Sequence, residues 1–248
     1  MRELFRRVAC ICRGGTSLAL FVVFGIGAIL ITPLMLIMRS RQMCQPVVRA
    51  TWRLAAWLFE VTGLIRVENR GLGGQKGTII VSNHPSLIDV VLYIVLVPRT
   101  LYVAKHALLK NPFLSAIVRH TSLPDDARLP EAAAPYLADG WNVLVFPEGT
   151  RSPSPDVLRE FHRGAAQLAL RTGAEVVCVG LDVSRAILGK RQKPWDMGER
   201  KVVYSFAADE PIKPSLDPSR GLRPQAAELT DAIRERISTQ MAASRRSR

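Results

Sequence analysis

A chain of 248 residues with 48% hydrophobic content has room for one large α/β domain and a short appendage, and no Ser/Gly/Pro-rich linker divides it. Its net charge of +13 points to an anionic partner, and the absence of an aromatic-basic stacking platform argues against nucleic acid. Cys10, Cys12, Cys44 and Cys178 lack paired Cys-x-x-Cys spacing and the histidines form no ligand triad, which argues against a disulfide framework and a metal site.

The first 70 residues hold ten arginines against Glu3, Glu60 and Glu68, and the arginines flank an uncharged run from Leu18 to Met38. As a helix at ~1.5 Å per residue, that run reaches about the ~30 Å of a bilayer's hydrocarbon core. Gly25, Gly27 and Pro33 interrupt it, and a second partly apolar segment follows, Val47 to Leu64, with Trp52, Trp57 and Phe59. Two membrane arrangements fit, a single span or a helical pair sunk into one leaflet, and a buried core helix is the alternative to both. A cleaved signal peptide fits poorly, because the run is long for one and no Ala-x-Ala-like site follows it. Residues 1–64 therefore read as a membrane-anchoring helical region.

From Ile65 the pattern alternates short strand-like runs with helical ones, which predicts a single mixed-sheet α/β domain over 65–215 flanked by helices. Strands are expected at Ile65–Glu68, Thr78–Ser82, Leu101–Ala104, Trp141–Phe146, Val176–Val183 and Lys201–Phe206. Helices are expected at Ser86–Val97, with Pro85 suited to a first helical position, and at Ala107–Val118, Glu131–Asp139 and Phe161–Arg171. Residues 216–248 read as a helix, Gln225–Ala243, and a disordered, membrane-attracted basic tail, Ser244–Arg248. The basic loop Gly189–Trp195 suits headgroups, an acidic carrier protein or plain solvent.

Two polar clusters follow apolar strands and so belong at the carboxyl edge of the sheet, where open α/β sheets bind ligands. In Asn83-His84-Pro85-Ser86-Leu87-Ile88-Asp89, a carboxylate enters an apolar helix, and burying it unpaired would cost several kcal/mol. His84 is its nearest ionisable partner, which leaves the second imidazole nitrogen to act as a base. In Phe146-Pro147-Glu148-Gly149-Thr150-Arg151-Ser152, Gly149 permits close backbone approach, Thr150 brings a hydroxyl and Arg151 a planar fork suited to phosphate. Glu148 is placed either to position a hydroxyl or to hold Arg151.

The two boxes, as they stand at Asn83 to Asp89 and Phe146 to Arg151, resemble the glycerolipid acyltransferases, the family of lysophosphatidate acyltransferases. The likeness runs from about Leu64 to Pro214 and includes Phe161-His162-Arg163-Gly164-Ala165-Ala166. It implies that His84 is the general base and Asp89 its orienting partner. It also implies an acceptor site lined by Asn83, Glu148, Gly149, Thr150 and Arg151, with Lys105 at a phosphate-contacting position and Arg163 toward phosphate or acyl donor. The implied donor is acyl-CoA or acyl-acyl carrier protein, used as substrate with no cofactor. The implied acceptor is a lysolipid, most simply 1-acyl-sn-glycerol 3-phosphate, at a bacterial inner membrane with the site facing the cytoplasm. Acyl transfer through His84 needs no acyl-enzyme; Ser86 is the candidate nucleophile for a covalent route. Turn amides are expected to hold the oxyanion.

Two departures qualify the likeness. The family's Gly-x-x-Phe-Ile-x-Arg appears here as Val118-Arg119-His120-Thr121-Ser122-Leu123-Pro124-Asp125-Asp126, without the matching Arg, and its Val-Pro-Val appears as Val177-Cys178-Val179. Such changes fit a divergent branch, so a lyso-ornithine lipid or polyene-type acceptor is an alternative, and a catalytically silent lipid-binding protein a further one. His106 and His120 read as surface or helix-end histidines, and His162 as framing the Phe161 turn.

Overall fold

The computed structural model describes residues 2–38, 40–110, 115–185, 187–189 and 192–246. One sheet holds seven strands: β1 (Ile65–Arg70), β2 (Ile79–Ser82), β3 (Thr100–Ala104), β4 (Ser122–Pro124), β5 (Asn142–Val145), β6 (Val176–Val183) and β7 (Val202–Ala208), in the order β1-β7-β6-β2-β5-β3-β4. The run from β6 to β4 is parallel, while β7 pairs antiparallel with β6 and carries β1 parallel to itself. The sheet is therefore mixed, as expected. Around it lie α1 (Arg2–Ile37), α2 (Arg41–Val61), α3 (Asp89–Leu96), α4 (Ser115–Thr121), α5 (Leu129–Ala138), α6 (Gly164–Thr172) and α7 (Leu222–Arg246).

Strand alternation divides the core between the two faces. Ile80, Leu144, Val177, Val179 and Leu181 face Phe59 of α2 and Leu92 and Tyr93 of α3. Ile79, Val81, Val143, Val145, Val176 and Cys178 face Leu137 of α5, Leu168 of α6 and Ile233, Ile237 and Met241 of α7. Both faces are covered, so the central strands are buried throughout and read as mainly apolar runs. At Gly180 on β6, a Cβ would lie 2.5 Å from Gln240 Cβ and 2.9 Å from the Met241 backbone nitrogen, so α7 rests directly on the sheet there.

Several expectations change in detail. β4 was not foreseen, because Ser-Leu-Pro is too short to show alternation; it adds to the sheet by pairing with β3. The expected helix from Ser86 starts at Asp89 instead. Pro85 is no first helical residue, because the preceding turn is held by long-range bonds: Asn83 Nδ2 donates to Leu181 O (2.8 Å) and Leu87 N–H to Leu188 O (3.2 Å). The expected helix Ala107–Val118 is a 3-10 turn at His106–Lys110 followed by α4, with residues 111–114 outside the described ones. Ser244, Arg245 and Arg246 of the supposed tail are helical: Arg245 donates to Asp182 (3.1 Å) and to Pro155 O (3.0 Å), which anchors the end of α7. Ser247 and Arg248, like Lys190 and Arg191 of the basic loop, lie outside the described residues.

The segment 1–64, expected to anchor the protein, holds α1 and α2, which lie along the domain. Phe21 meets Phe59 edge-on with ring centroids 5.9 Å apart, and Met35, Cys44 and Val48 close a cluster with Ala116 and Ile117 of α4. His120, in the last turn of α4, bonds Met35 O through Nε2 at 2.9 Å. Part of the arginine excess serves the protein itself. Arg49 donates to Val95 O (3.0 Å), and Arg41 sits 5.0 Å over the Tyr136 ring.

Candidate active site

β2 and β5 are adjacent and parallel, so the turn after Ser82 and the loop after Val145 open side by side at the carboxyl edge. There His84 Nδ1 lies 3.0 Å from Asp89 Oδ2, which also accepts the Ser86 N–H at 2.7 Å. Asp89 is fully buried, and its Oδ1 has no hydrogen-bond partner among the described residues. Burial lifts the Asp89 carboxyl above the usual carboxylate range, against the opposing pull of His84 and the Ser86 N–H. The imidazole stacks on the Phe146 ring, with centroids 4.2 Å apart and planes 19° from parallel. Its Nε2 makes no hydrogen bond among the described residues, and the side chain keeps 17% exposure, enough to reach a ligand. With Nδ1–H donated to the carboxylate, Nε2 is left as the proton acceptor.

A tyrosine pair unforeseen in the sequence backs this turn. Tyr204 OH donates to Ser86 Oγ (2.9 Å) and Tyr93 OH to Ser82 Oγ (2.5 Å). Burial raises both phenols well above their ordinary range, so they stay neutral donors next to the Asp89 charge. A buried Tyr within an apolar helix or strand is the only hint the sequence carried, since a phenol in a core needs a polar partner. Ser86 is 1% exposed with its hydroxyl engaged by Tyr204, a poor setting for a nucleophile.

Glu148 joins the two boxes. Its Oε1 accepts the His84 N–H (3.0 Å) and the Ser152 hydroxyl (2.7 Å), and its Oε2 accepts the Arg159 N–H (3.1 Å), while Ser152 N–H donates back to His84 O (2.7 Å). The carboxylate therefore braces backbone and is not paired with Arg151. Replacing Glu148 by Ala strips these donors of their acceptor and is expected to lower stability by about 2–5 kcal/mol. A denaturant midpoint within error of wild type would show that the brace is dispensable.

The remaining expected residues separate. Asn83 is buried and bonded both ways to Leu181 of β6, Nδ2 to O at 2.8 Å and Oδ1 from N–H at 2.9 Å, so its amide holds strands together. Arg151 Nη1 donates to Leu188 O (2.8 Å) and Gly189 O (3.1 Å), clamping the β6–β7 loop. Arg163 is exposed at the start of α6, its carbonyl accepting Gln167 N–H. Lys105, Glu148, Gly149 and Thr150 do come together, lining a cavity of about 420 Å³ with Asp125, Arg159, Glu160 and His162. His84 adjoins it through Glu148. Gly149 has φ 62°, and a Cβ there would come within 3.2 Å of the His162 ring, so glycine is needed for both conformation and space. A larger cavity, about 550 Å³, lies at the opposite sheet edge between Gly71 and Pro211, away from these groups.

The sequence model of one family, Acyltransferase, matches residues 58–182, a stretch that contains both boxes. The chain is 28% identical over 142 residues to the 1-acyl-sn-glycerol-3-phosphate acyltransferase of Borreliella burgdorferi, covering 54% of this chain and 56% of that one. It is 33% identical over 142 residues to the protein of the same name from Pseudomonas aeruginosa, covering 53% and 55%. The chain thus spans about half the length of these relatives. Its fold is like that of the 1-acyl-sn-glycerophosphate acyltransferase PlsC from Thermotoga maritima, with a TM-score of 0.70 over 99% of this chain and 98% of that one at 22% identity.

Proposed function

The chain belongs to the acyltransferase family, and from that premise we propose that it moves a fatty acyl group from a CoA or acyl carrier protein thioester to the free hydroxyl of a lysolipid. The observation that carries this reading is the His84–Asp89 pair, 3.0 Å apart, beside a cavity open at the carboxyl edge. His84 Nε2 takes the proton of the acceptor hydroxyl as its oxygen attacks the thioester carbonyl. Asp89 holds the ring and stabilises the imidazolium. Collapse of the tetrahedral adduct breaks the C–S bond, and the imidazolium returns the proton to the departing thiolate. The amides of Ser86, Leu87, Gly149 and Ser152 already have acceptors, which narrows the turn donors left for the oxyanion; those of Thr150 and Arg151 make no hydrogen bond among the described residues.

The acceptor of the named relatives, 1-acyl-sn-glycerol 3-phosphate, suits Lys105 and Arg159 in the cavity lining. Asp125 and Glu160 line it too, and this mixed charge favours a second reading, a lysolipid whose headgroup carries an amine beside its anion, such as a lyso-ornithine lipid.

The packing of α1 supports attachment to a single leaflet. One stripe of it, from Arg13 through Ser17, Phe21, Ala28 and Ile31 to Met35, touches the rest of the protein. The other faces expose Val22, Val23, Ile26, Leu30 and Ile37, with Leu54 and Trp57 of α2 alongside. A helix held to its domain over that length suits lying in one leaflet better than crossing ~30 Å of hydrocarbon while the domain stays in water. A soluble thioester then meets an acceptor already resident in the leaflet.

Purified protein mixed with a panel of lysolipids and one acyl thioester is expected to yield diacyl product and free thiol in equal amounts, read by mass spectrometry and thiol titration. Thiol release without a new ester, or no product from any acceptor, overturns the reading. The favoured lysolipid chooses between the two acceptors.

A further inference from the structure

We infer that Arg13 is a positioning residue that sets the height of the His84 turn over the bilayer, by locking α1 to the β6–β7 loop. This rests on the membrane-bound acyl transfer proposed above. Along most of its inner stripe α1 meets the domain through apolar side chains such as Phe21, Ala28, Ile31 and Met35. Apolar contact is non-directional, so by itself it would tolerate a helix slipping or rolling by part of a turn.

His120 ties Met35 O at the far end of α1 at 2.9 Å, and a denser set of polar contacts near the N-terminal end removes the remaining freedom. The Arg13 guanidinium donates to Gly198 O (3.0 Å) and Arg200 O (2.9 Å) in the β6–β7 loop, and to Gly63 O (2.8 Å) and Leu64 O (3.1 Å) at the entrance to β1. One turn on, the buried Ser17 hydroxyl donates to Pro194 O at 2.7 Å. Between them Gly14 lies so close that a Cβ would stand 2.7 Å from Trp195 O. A planar fork with five N–H groups meets carbonyls from separate segments at once, which the three donors on a single Lys nitrogen do not reproduce.

The same loop reaches the site at its other end. Leu188 O accepts both the Leu87 N–H, three residues from His84, and Arg151 Nη1. Ile187, Leu188 and Met197 are buried in the core, so the described stretches on both sides of the loop are firmly seated. α1 bears the exposed apolar surface and the loop bears the link to the His84 turn, so Arg13 indexes one against the other. Loss of the lock leaves the site built but held at no single depth.

The test compares Arg13→Ala with wild type on the same lysolipid presented in vesicles and in detergent micelles, where the acceptor has no fixed plane. The vesicle rate is expected to fall about tenfold or more, the scale on which misplacement of reacting groups acts, while the micelle rate is retained. A parallel loss in both, or a loss in neither, overturns the inference. If Arg13→Ala does not fold, Arg13→Lys serves the same comparison. Depth is also read without activity, from a nitroxide on Asp126→Cys in a Cys10→Ser/Cys12→Ser background. One depth in wild type that becomes shifted or spread in the Arg13 variant supports the inference, and an unchanged depth overturns it. Wild type that holds one depth but acylates no acceptor overturns the acyl-transfer reading alone.

Discussion

His84→Ala is expected to lower kcat/KM by about 10²–10⁴-fold, the range in which a positioned general base contributes. The loss should appear in kcat and not in membrane attachment or in the shape of the turn. The turn owes its shape to the His84 backbone, whose N–H is held by Glu148 and whose carbonyl accepts from Ser152, and Ala retains both. What disappears is the ring, with its stacking on Phe146 and its bond to Asp89. Steady-state kinetics on vesicles together with a flotation assay read the two effects separately. Near-normal turnover in the variant would remove His84 from the mechanism, and direct detection of an acyl group on Ser86 would replace direct transfer with a covalent route.

Asp89→Asn is expected to separate activity from stability. The Ser86 N–H needs an acceptor at the Oδ2 position, so the Asn oxygen takes that place and still receives the imidazole Nδ1–H. The proton therefore stays on the correct nitrogen while the charge that stabilises the imidazolium is gone. Where the same change also leaves the wrong tautomer the loss reaches about 10⁴-fold, so with the tautomer kept a smaller loss, roughly 10²–10³-fold, is expected here. The stability effect follows from the raised pKa of the buried carboxyl. Folded Asp89 holds its proton more tightly than the unfolded chain, whose carboxyl titrates near ~3.9, so this contribution is full below that pH and is lost as pH rises through the folded value. Asn has no such titration. The variant should gain on wild type between acid and neutral pH, read from denaturant midpoints at both. A constant difference across that range would mean that the buried carboxyl titrates as it does in the unfolded chain.

Much of this was legible in the residues, for reasons that are local. Ile79-Ile80-Val81 and Asn142 to Val145 read as strands because buried parallel strands are short apolar runs, and both are strands. Five residues from His84 to Asp89 span one tight turn, so their meeting needs only the turn to form. Elements failed where length or pattern was too small to register, as with Ser122–Pro124. The turn at Pro85 failed because bonds to residues far along the chain outweighed a local helix preference.

The chain by itself determined the apolar N-terminal helix, the alternation of strands and helices and the His84–Asp89 pair, since each depends on spacing within a few residues. Only the tertiary structure decided that Asn83 binds β6, that Glu148 braces the His84 backbone, and that Arg151 and Arg13 grip opposite ends of one loop. Those partners stand 98, 64, 37 and up to 187 residues apart, respectively. An amide, a carboxylate or a guanidinium bonds whatever complementary group is brought within about 3 Å, and here strand order and helix packing bring it.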